Sequence, residues 1–378
     1  MINVKRMAGV FSELVQMDSV SQEEAIIADR LTLILESLGA EVFRDRAGER
    51  AGGNAGNIVA RFSGNVGVSP MLLCAHMDTV EPGRGVKPFY EDGIFKSAGD
   101  TILGADDKSA IAILIEVLTV LKESHLSHGP LDVVLTVCEE IGLLGAKYLD
   151  MNLVTARFGY ALDGSDTEGI ITRAPAANRL EFKIHGKDAH AGAAPEKGIN
   201  AILLAAKAIS QLEIGRIDQE TTCNIGIIEG GNAVNVVPKL VAIKGEVRSH
   251  DPAKLDLVTG TMISCFQKVV DEYPEGEDNL PGLDVAVIQE FPRTHIPEDD
   301  LVVTLAGKAA KTLGRSLKTK ISGGGSDANV FFEKGIMVGV LGTGMRDMHT
   351  VRESVSIEDM AKTGELLLEI IKLHGEGL

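Results

Sequence analysis

The sequence contains no tryptophan and only four cysteines, Cys74, Cys138, Cys223 and Cys265, with no CxxC pair among them. That spacing argues against a cysteine-ligated zinc site and against a thioredoxin-type redox motif. Cys74 and Cys138 stand inside apolar runs and read as small buried hydrophobes. No uncharged apolar run approaches the ~20 residues needed to span a bilayer. The N-terminus carries early charges and no long apolar h-region, so no signal peptide is expected and the cytoplasm is the expected location. Basic residues are outnumbered, 37 Lys and Arg against 54 Asp and Glu, for a formal charge of −17. Such a chain is repelled by nucleic acid and by anionic membranes, and neither is expected as a partner. The glycine-rich run from Ser322 has no GK[ST] at the spacing of a phosphate-binding Walker loop. Internal repeats and low-complexity segments are also absent.

What is present fills 378 residues, too many for one ordinary core, so two domains are expected. The first part alternates strand and helix signals. "SQEEAIIADRLTLILESLG" opens with a capping box, Ser21 and Glu24, and keeps helical periodicity to Gly39. "AGNIVARF" reads as a strand. "MLLCAHMDT", "LDVVLTVCEEIG" and the shorter "RFGYALDGSD" read as strands of an α/β sheet, the first as a continuous apolar run buried on both faces and the second as another buried strand. "ADDKSAIAILIEVLTVLKES" is a long helix with Asp106 and Asp107 in its first turn, the favourable end for negative charge. Near residue 175 the pattern changes. "RLEFKIHG" alternates apolar and polar residues. A helix (197–212), strands near 222–229 and 239–248, a helix (253–272) and the strand "GLDVAVIQEF" follow, with "PEGEDNLPG" as a loop. The order is βαββαβ. From about 293 the first pattern returns, with two helical segments around the strand "GIMVGVLGTG". The expected architecture is an α/β domain, 1–175 and 293–378, with a mostly parallel sheet and helices on both faces. A smaller α+β domain, 176–292, is inserted into it.

Chemistry-bearing residues gather where the buried strands end. His76 and Asp78 follow "LLCA", Glu139 and Glu140 follow "LDVVLTVC", and Asp163 follows "GYAL". His349 ends the loop after "IMVGVLGTG", and Asp106 opens the long helix. In open α/β sheets ligands bind outside the carboxyl ends of the strands. Seven converging acids and imidazoles would repel one another and be costly to desolvate without a cation. Imidazole and carboxylate without thiolate suit zinc, with cobalt or manganese as other divalent candidates. Two metals ~3.5–4 Å apart can share a bridging carboxylate and water. The count allows one bridging Asp, one His per metal and one terminal acid per metal. That leaves Glu139 as a general base beside Glu140. His76 and Asp78, at i and i+2 of extended chain, point the same way, so Asp78 can orient the imidazole.

"CAHMDTVEPG", "GDTILGADDKSAIA", "VCEEIGLLGA", "LDG" and "MHTVRESV", in that order from about 55 to 360, resemble the di-zinc peptidase family M20, closest to its peptidase T-like branch. The resemblance implies His76 and Asp163 on one metal, Glu140 and His349 on the other, and Asp106 bridging. It also implies Glu139 as base, Asp78 behind His76, and Asp107 as no more than a helix-start acid. "GKDAHAGAAPEKGINAI" resembles the family's lid segment and would bring His190 to the reacting carbonyl. "GGNAVNVVP", "GEVRSHD" and "SGGGSDANVF" resemble substrate-contacting segments, with Asn235, Arg248 and Gly324 as contacts.

The expected function is a zinc-dependent aminopeptidase acting on small peptides, most simply tripeptides, through a metal-bridged water and the Glu139 base. Alternatives are a carboxypeptidase or N-acyl amino acid deacylase of the same family. From other classes come a non-catalytic binding protein on the same scaffold and a passive storage or assembly protein. A homodimer through the edge strands of the inserted domain is a further expectation.

Overall fold

All six residues of the strand Met71–His76 are buried. Met71, Leu73 and Ala75 enter one hydrophobic cluster, and Leu72 and Cys74 enter another. Successive side chains of a strand point to opposite faces, so a run apolar at every position is what a sheet covered on both sides requires. Leu131–Thr136 is buried in the same way. In a computed structural model describing residues 1–274 and 279–377, these strands lie in the first of two compact units, Met1–Ala174 with Thr294–Leu378. The second unit is Pro175–Arg293.

The nine-stranded sheet of the first unit runs in the order Glu41–Arg44, Ile58–Phe62, Leu131–Thr136, Met71–His76, Phe158–Gly164, Met337–Gly342, Gly169–Ala174 and Thr294–His295, with Lys318–Ile321 also pairing Gly169–Ala174. The four central strands, from Leu131–Thr136 to Met337–Gly342, are parallel. Their carboxyl ends therefore open on one side. The outer pairings are antiparallel except for Lys318–Ile321. One face is covered by the nearly all-buried helix Ala105–Glu123 with Val4–Val15, Ala25–Leu38, Leu301–Thr312 and Ile357–Gly375. On the other face the helix Asp327–Glu333 contributes Ala328 and Phe331. The expected α/β sheet with helices on both faces is thus found. A four-stranded sheet in the order Met345–Arg346, Ser354–Ser356, Ile94–Ser97 and Pro88–Glu91 was not expected, and it frames the loop that carries His349.

Gly159 pairs with Leu72 at the centre of the parallel ladder, and a Cβ there would stand 2.0 Å from the Leu72 carbonyl oxygen. Overpacking typically costs about 1–3 kcal/mol, and backbone yields less than a side chain. Gly159→Ala should lower the denaturant midpoint accordingly; an unchanged midpoint would refute this packing.

Two local expectations are corrected. The helix begins at Ala25, and its N-cap Glu24 makes no side-chain capping bond. Ser21 Oγ instead donates to Asp78 Oδ2 at 2.7 Å, and Glu24 Oε1 accepts from Cys138 N at 3.0 Å. Buried polar groups elsewhere outcompete the local capping box for these side chains. Asp106 and Asp107 have non-helical backbone inside the Ala105–Glu123 span, so they form a kink and not a regular first turn.

The second unit is a five-stranded antiparallel sheet in the order Gly215–Arg216, Thr221–Gly230, Leu240–Ser249, Ala176–His185 and Gly282–Phe291. Helices Ala201–Ile209 and Pro252–Asp271 pack on it through Leu204, Ala208, Met262 and Phe266. Among the described residues a 3-10 turn, Pro195–Lys197, and the two-residue strand are added to the expected βαββαβ order, and the first helix is shorter than expected. Residues 275–278 of the expected "PEGEDNLPG" loop lie outside the described residues. Among the described residues no helix is long and apolar enough to cross a membrane.

Candidate metal centre

The parallel strands end together and deliver their terminal residues to one place. His76 closes its strand, and Glu139 and Glu140 follow Leu131–Thr136 by way of Cys138, whose φ of +52° is left-handed. This conformation is uncommon for a non-glycine residue and turns the chain sharply after the strand. Asp163 lies within Phe158–Gly164. His349, itself at φ +60°, stands in the loop between Met345–Arg346 and Ser354–Ser356.

Asp106 is the hub. Its Oδ1 lies 3.0 Å from His76 Nε2, and its Oδ2 lies 3.3 Å from His349 Nε2. His349 Nε2 is also 3.0 Å from Glu140 Oε1. Ligand atoms of His76, Asp106 and Glu140 all lie within 4.8 Å of one another, and so do those of His76, Asp107 and Asp163. On its other side His76 Nδ1 lies 2.9 Å from the Asp78 carbonyl oxygen and 3.5 Å from Asp78 Oδ1. A proton on Nδ1 donates to Asp78 and leaves the Nε2 lone pair facing Asp106, the tautomer a metal ligand needs. The Asp78 carboxylate has a second task. It accepts from Glu139 N at 2.9 Å, Glu140 N at 3.2 Å and the Ser21 hydroxyl, and so holds the turn that presents both glutamates.

Asp107 is corrected from helix-start acid to a member of this cluster. It is fully buried, its Oδ2 accepts from His76 N at 3.2 Å, and its Oδ1 has no hydrogen-bond partner among the described residues. The adjacent-aspartate pair was the available signal, but the family pattern made only Asp106 a ligand and left Asp107 as a helix-start acid. Ser21 and Glu24 were noticed only as a capping box, and Glu353 escaped notice. Each acts on a group remote in sequence, Ser21 on the Asp78 carboxylate and the two glutamates on backbone amides, which no local pattern marks.

The electrostatics match a site built for cations. Burial pushes the carboxyls of Glu139, Asp163 and Asp107 well above the ordinary range. The Asp106 charge adds to the effect at Asp163. Burial also opposes ionisation of Asp106, but its contacts with His349 and His76 hold that carboxyl below the usual value. Contacts with Asp106 and Glu140 raise His349 to about 10. Burial disfavours charge on His76, yet Asp106 and Asp78 outweigh it and leave its pKa well raised. Compressed acids, imidazoles that compensate them and an unpartnered buried carboxylate oxygen form a donor set that fits divalent metal.

Asp106, Glu139, Glu140, Asp163 and His349 line a cavity of about 150 Å³ together with Gly324, Ser326 and the apolar Ile171, Val338 and Val340. Gly324 N donates to Ser322 Oγ at 3.0 Å, which shapes the glycine-rich rim. His190, Asn235 and Arg248 belong to the second unit. His190 and Asn235 are neighbours there, since Ala191 N donates to the Asn235 carbonyl at 2.9 Å. His190 Nδ1 accepts from Gly192 N and Ala193 N, both at 3.1 Å, so its proton sits on Nε2 and the ring offers a donor. Arg248 pairs with Glu246 at 3.1 Å and lies over the Phe291 ring.

Residues 72–373 match the model of peptidase family M20/M25/M40. The chain belongs to this family. The chain is accordingly a hydrolase acting on peptide bonds, and the strand-end cluster described above falls inside the matched span. The chain is similar to the crystal structure of aminopeptidase PepT from Bacillus cereus ATCC 10987, at 42% identity and a TM-score of 0.88 over 98% of each chain. It is similar to a tripeptidase from Staphylococcus aureus at 39% identity and a TM-score of 0.93 over the whole of both chains. Peptidase T of Fusobacterium nucleatum is 29% identical over 79% of this chain and 71% of its own length.

Proposed function

We propose that this M20 chain is an aminopeptidase that removes the N-terminal residue of tripeptides, using two divalent ions, most simply zinc. The observation that carries the reading is the Asp106 carboxylate, with one oxygen facing His76 and the other facing His349. That is the disposition of a carboxylate shared between two metals. His76 and Asp163 would hold one ion, Glu140 and His349 the other, with Asp106 between them. Asp107, on the backbone amide of His76, would steady the first.

Such ions supply Lewis acidity, lowering the pKa of a water toward neutrality and polarising the scissile carbonyl. The chain's own residues manage the proton. Glu139 stands beside the ligand Glu140, lines the same cavity and is 8% exposed, a placement that suits it to accept a proton and pass it to the departing amine. Asp78 fixes its backbone amide and so its aim. Gly324 and its neighbours supply a rim for the substrate, and the apolar wall excludes water around the reacting bond. The resemblance to the family assigns His190, Asn235 and Arg248 to substrate contacts, Asp78 to catalysis through His76, and the second unit to the roles of lid and dimer contact. The edge strand Gly282–Phe291 exposes Val285, Val287 and Ile288, which supports pairing of copies there. A cytoplasmic location belongs to the same proposal.

Hydrolysis of di- and tripeptides and N-acyl amino acids, with zinc, cobalt and manganese supplied separately, tests the reading. Release of the first residue from a free-amine tripeptide is the expected outcome, with loss of turnover when the amine is acetylated. Release of the C-terminal residue would make the chain a carboxypeptidase, cleavage of the N-acyl substrate a deacylase, and metal binding without turnover a binding protein.

A further inference from the structure

Three backbone amides at the start of the long helix converge on one distant carboxylate. Glu353 Oε2 accepts from Leu103 N at 2.8 Å and Gly104 N at 2.7 Å, and Oε1 accepts from Asp106 N at 2.9 Å. Glu353 is 1% exposed, and its acceptance of these bonds spans 247 to 250 residues of sequence. The segment it holds cannot satisfy its own amides. Gly104 sits at φ +75° and Asp106 at ψ 102°, outside helical geometry, and amides at a helix start have no acceptor one turn back within the helix. A buried amide without an acceptor is costly, and an ordinary helix start answers that with a nearby Ser or Asp. Here the acceptor comes instead from the loop that carries His349. Glu353 lies four residues after that histidine, and its own N–H donates to Thr350 O at 3.0 Å, closing the loop into a turn.

We propose that Glu353 is a positioning residue for the metal centre, a clamp that locks the backbone of Asp106 to the His349 loop and so sets the separation of the two ligands. The proposal rests on the reading of Asp106 and His349 as ligands. A local cap would satisfy the same amides but could not register one ligand loop against the other. The His349 Nε2 to Asp106 Oδ2 distance of 3.3 Å is the quantity the clamp controls. The Asp106 carboxylate projects from a residue whose own N–H is held, so rotation of the peptide would swing it away from His349.

The test is calorimetric titration of the chelator-stripped full chain with zinc, repeated with cobalt while its absorption spectrum is recorded. Glu353→Gln keeps the shape but offers one carbonyl oxygen to three amides and turns an NH₂ toward them. Weaker binding of at least one ion by ~10–100-fold, the usual effect of altering a ligand's supporting partner, is expected, together with a changed cobalt spectrum. Recovery of turnover at saturating metal should accompany it. Wild-type affinity and spectrum in a folded Glu353→Gln chain would overturn the proposal and leave Glu353 a helix cap. If Glu353→Gln does not fold, Glu353→Asp takes its place. It retains the charge with a shorter reach, and wild-type affinity there overturns the proposal equally. Asp106→Asn separates the two levels. If it binds both ions normally, the ligand reading itself fails. If it loses an ion while Glu353→Gln binds normally, only the clamp fails.

Discussion

Glu139→Gln should reduce turnover by at least ~10²–10⁴, the usual share of a general base, while close to two metal ions remain bound per chain. The substitution is nearly isosteric and removes the group's capacity to take a proton. Backbone geometry should survive, because the Glu139 amide and not its side chain is held by Asp78 at 2.9 Å. Glu140 Oε1 lies 3.0 Å from His349 Nε2, and its ligand atoms cluster with those of His76 and Asp106, which puts Glu140 among the residues proposed to hold metal and leaves Glu139 to the proton. The two neighbouring glutamates should therefore separate in their effects, with Glu140→Gln losing metal and Glu139→Gln losing turnover alone. Metal content by elemental analysis beside kcat on a tripeptide reads both. A fully active Glu139→Gln chain would remove Glu139 from the mechanism.

Asp106→Asn should have the second large effect, and on metal content first. One carboxylate faces both imidazoles, so its replacement by an amide removes half of the shared negative charge from each ion at once. Loss of one ion, or an affinity lowered beyond the ~10–100-fold typical of a supporting residue, is expected, and turnover should fall with it. Stability provides an independent readout. A ligand that binds only the folded chain stabilises it by about 2.7 kcal/mol at a hundred times its dissociation constant. Zinc added to the chelated wild-type chain should therefore raise its melting temperature, and the increment should shrink in Asp106→Asn. The cause lies in the crowded acids: Glu139, Asp163 and Asp107 are all pushed well above the carboxylate range by burial. An unchanged melting temperature on adding metal to wild-type protein would count against a metal centre here.

Much of the fold was legible because it rests on periodicity. Met71–Ala75 is apolar at every position and Leu131–Thr136 nearly so, and both strands are buried throughout, as a sheet covered on both faces requires. The alternation in Ala176–His185 announced a sheet with one covered face, as its burial shows. Short elements carried too little pattern. The strands Pro88–Glu91, Ile94–Ser97 and Lys318–Ile321 are four residues each; the first and last are mostly exposed and the second buries only Phe95, so burial left too short an imprint to read. The capping box at Ser21 and Glu24 was a valid local pattern that lost to tertiary demand. Both side chains instead serve the turn after Leu131–Thr136, Ser21 through the Asp78 carboxylate and Glu24 through the Cys138 amide.

The candidate site divides along the same line. Strand-end position is a one-dimensional property, and it singled out His76, Asp78, Glu139, Glu140 and Asp163 before any coordinates. The identities of their partners are three-dimensional. That Asp78 holds two glutamate amides, that Asp107 leaves the helix to sit under His76, and that Glu353 reaches back some 250 residues to hold Asp106 could not be read from spacing. By itself the sequence determined which residue types arrive at the carboxyl ends of the sheet, since hydrophobic burial dictates where strands run and stop. Only the tertiary structure decided how those groups face one another. Hydrogen-bond satisfaction of buried backbone is settled between segments distant in the chain, and that settlement orients each carboxylate.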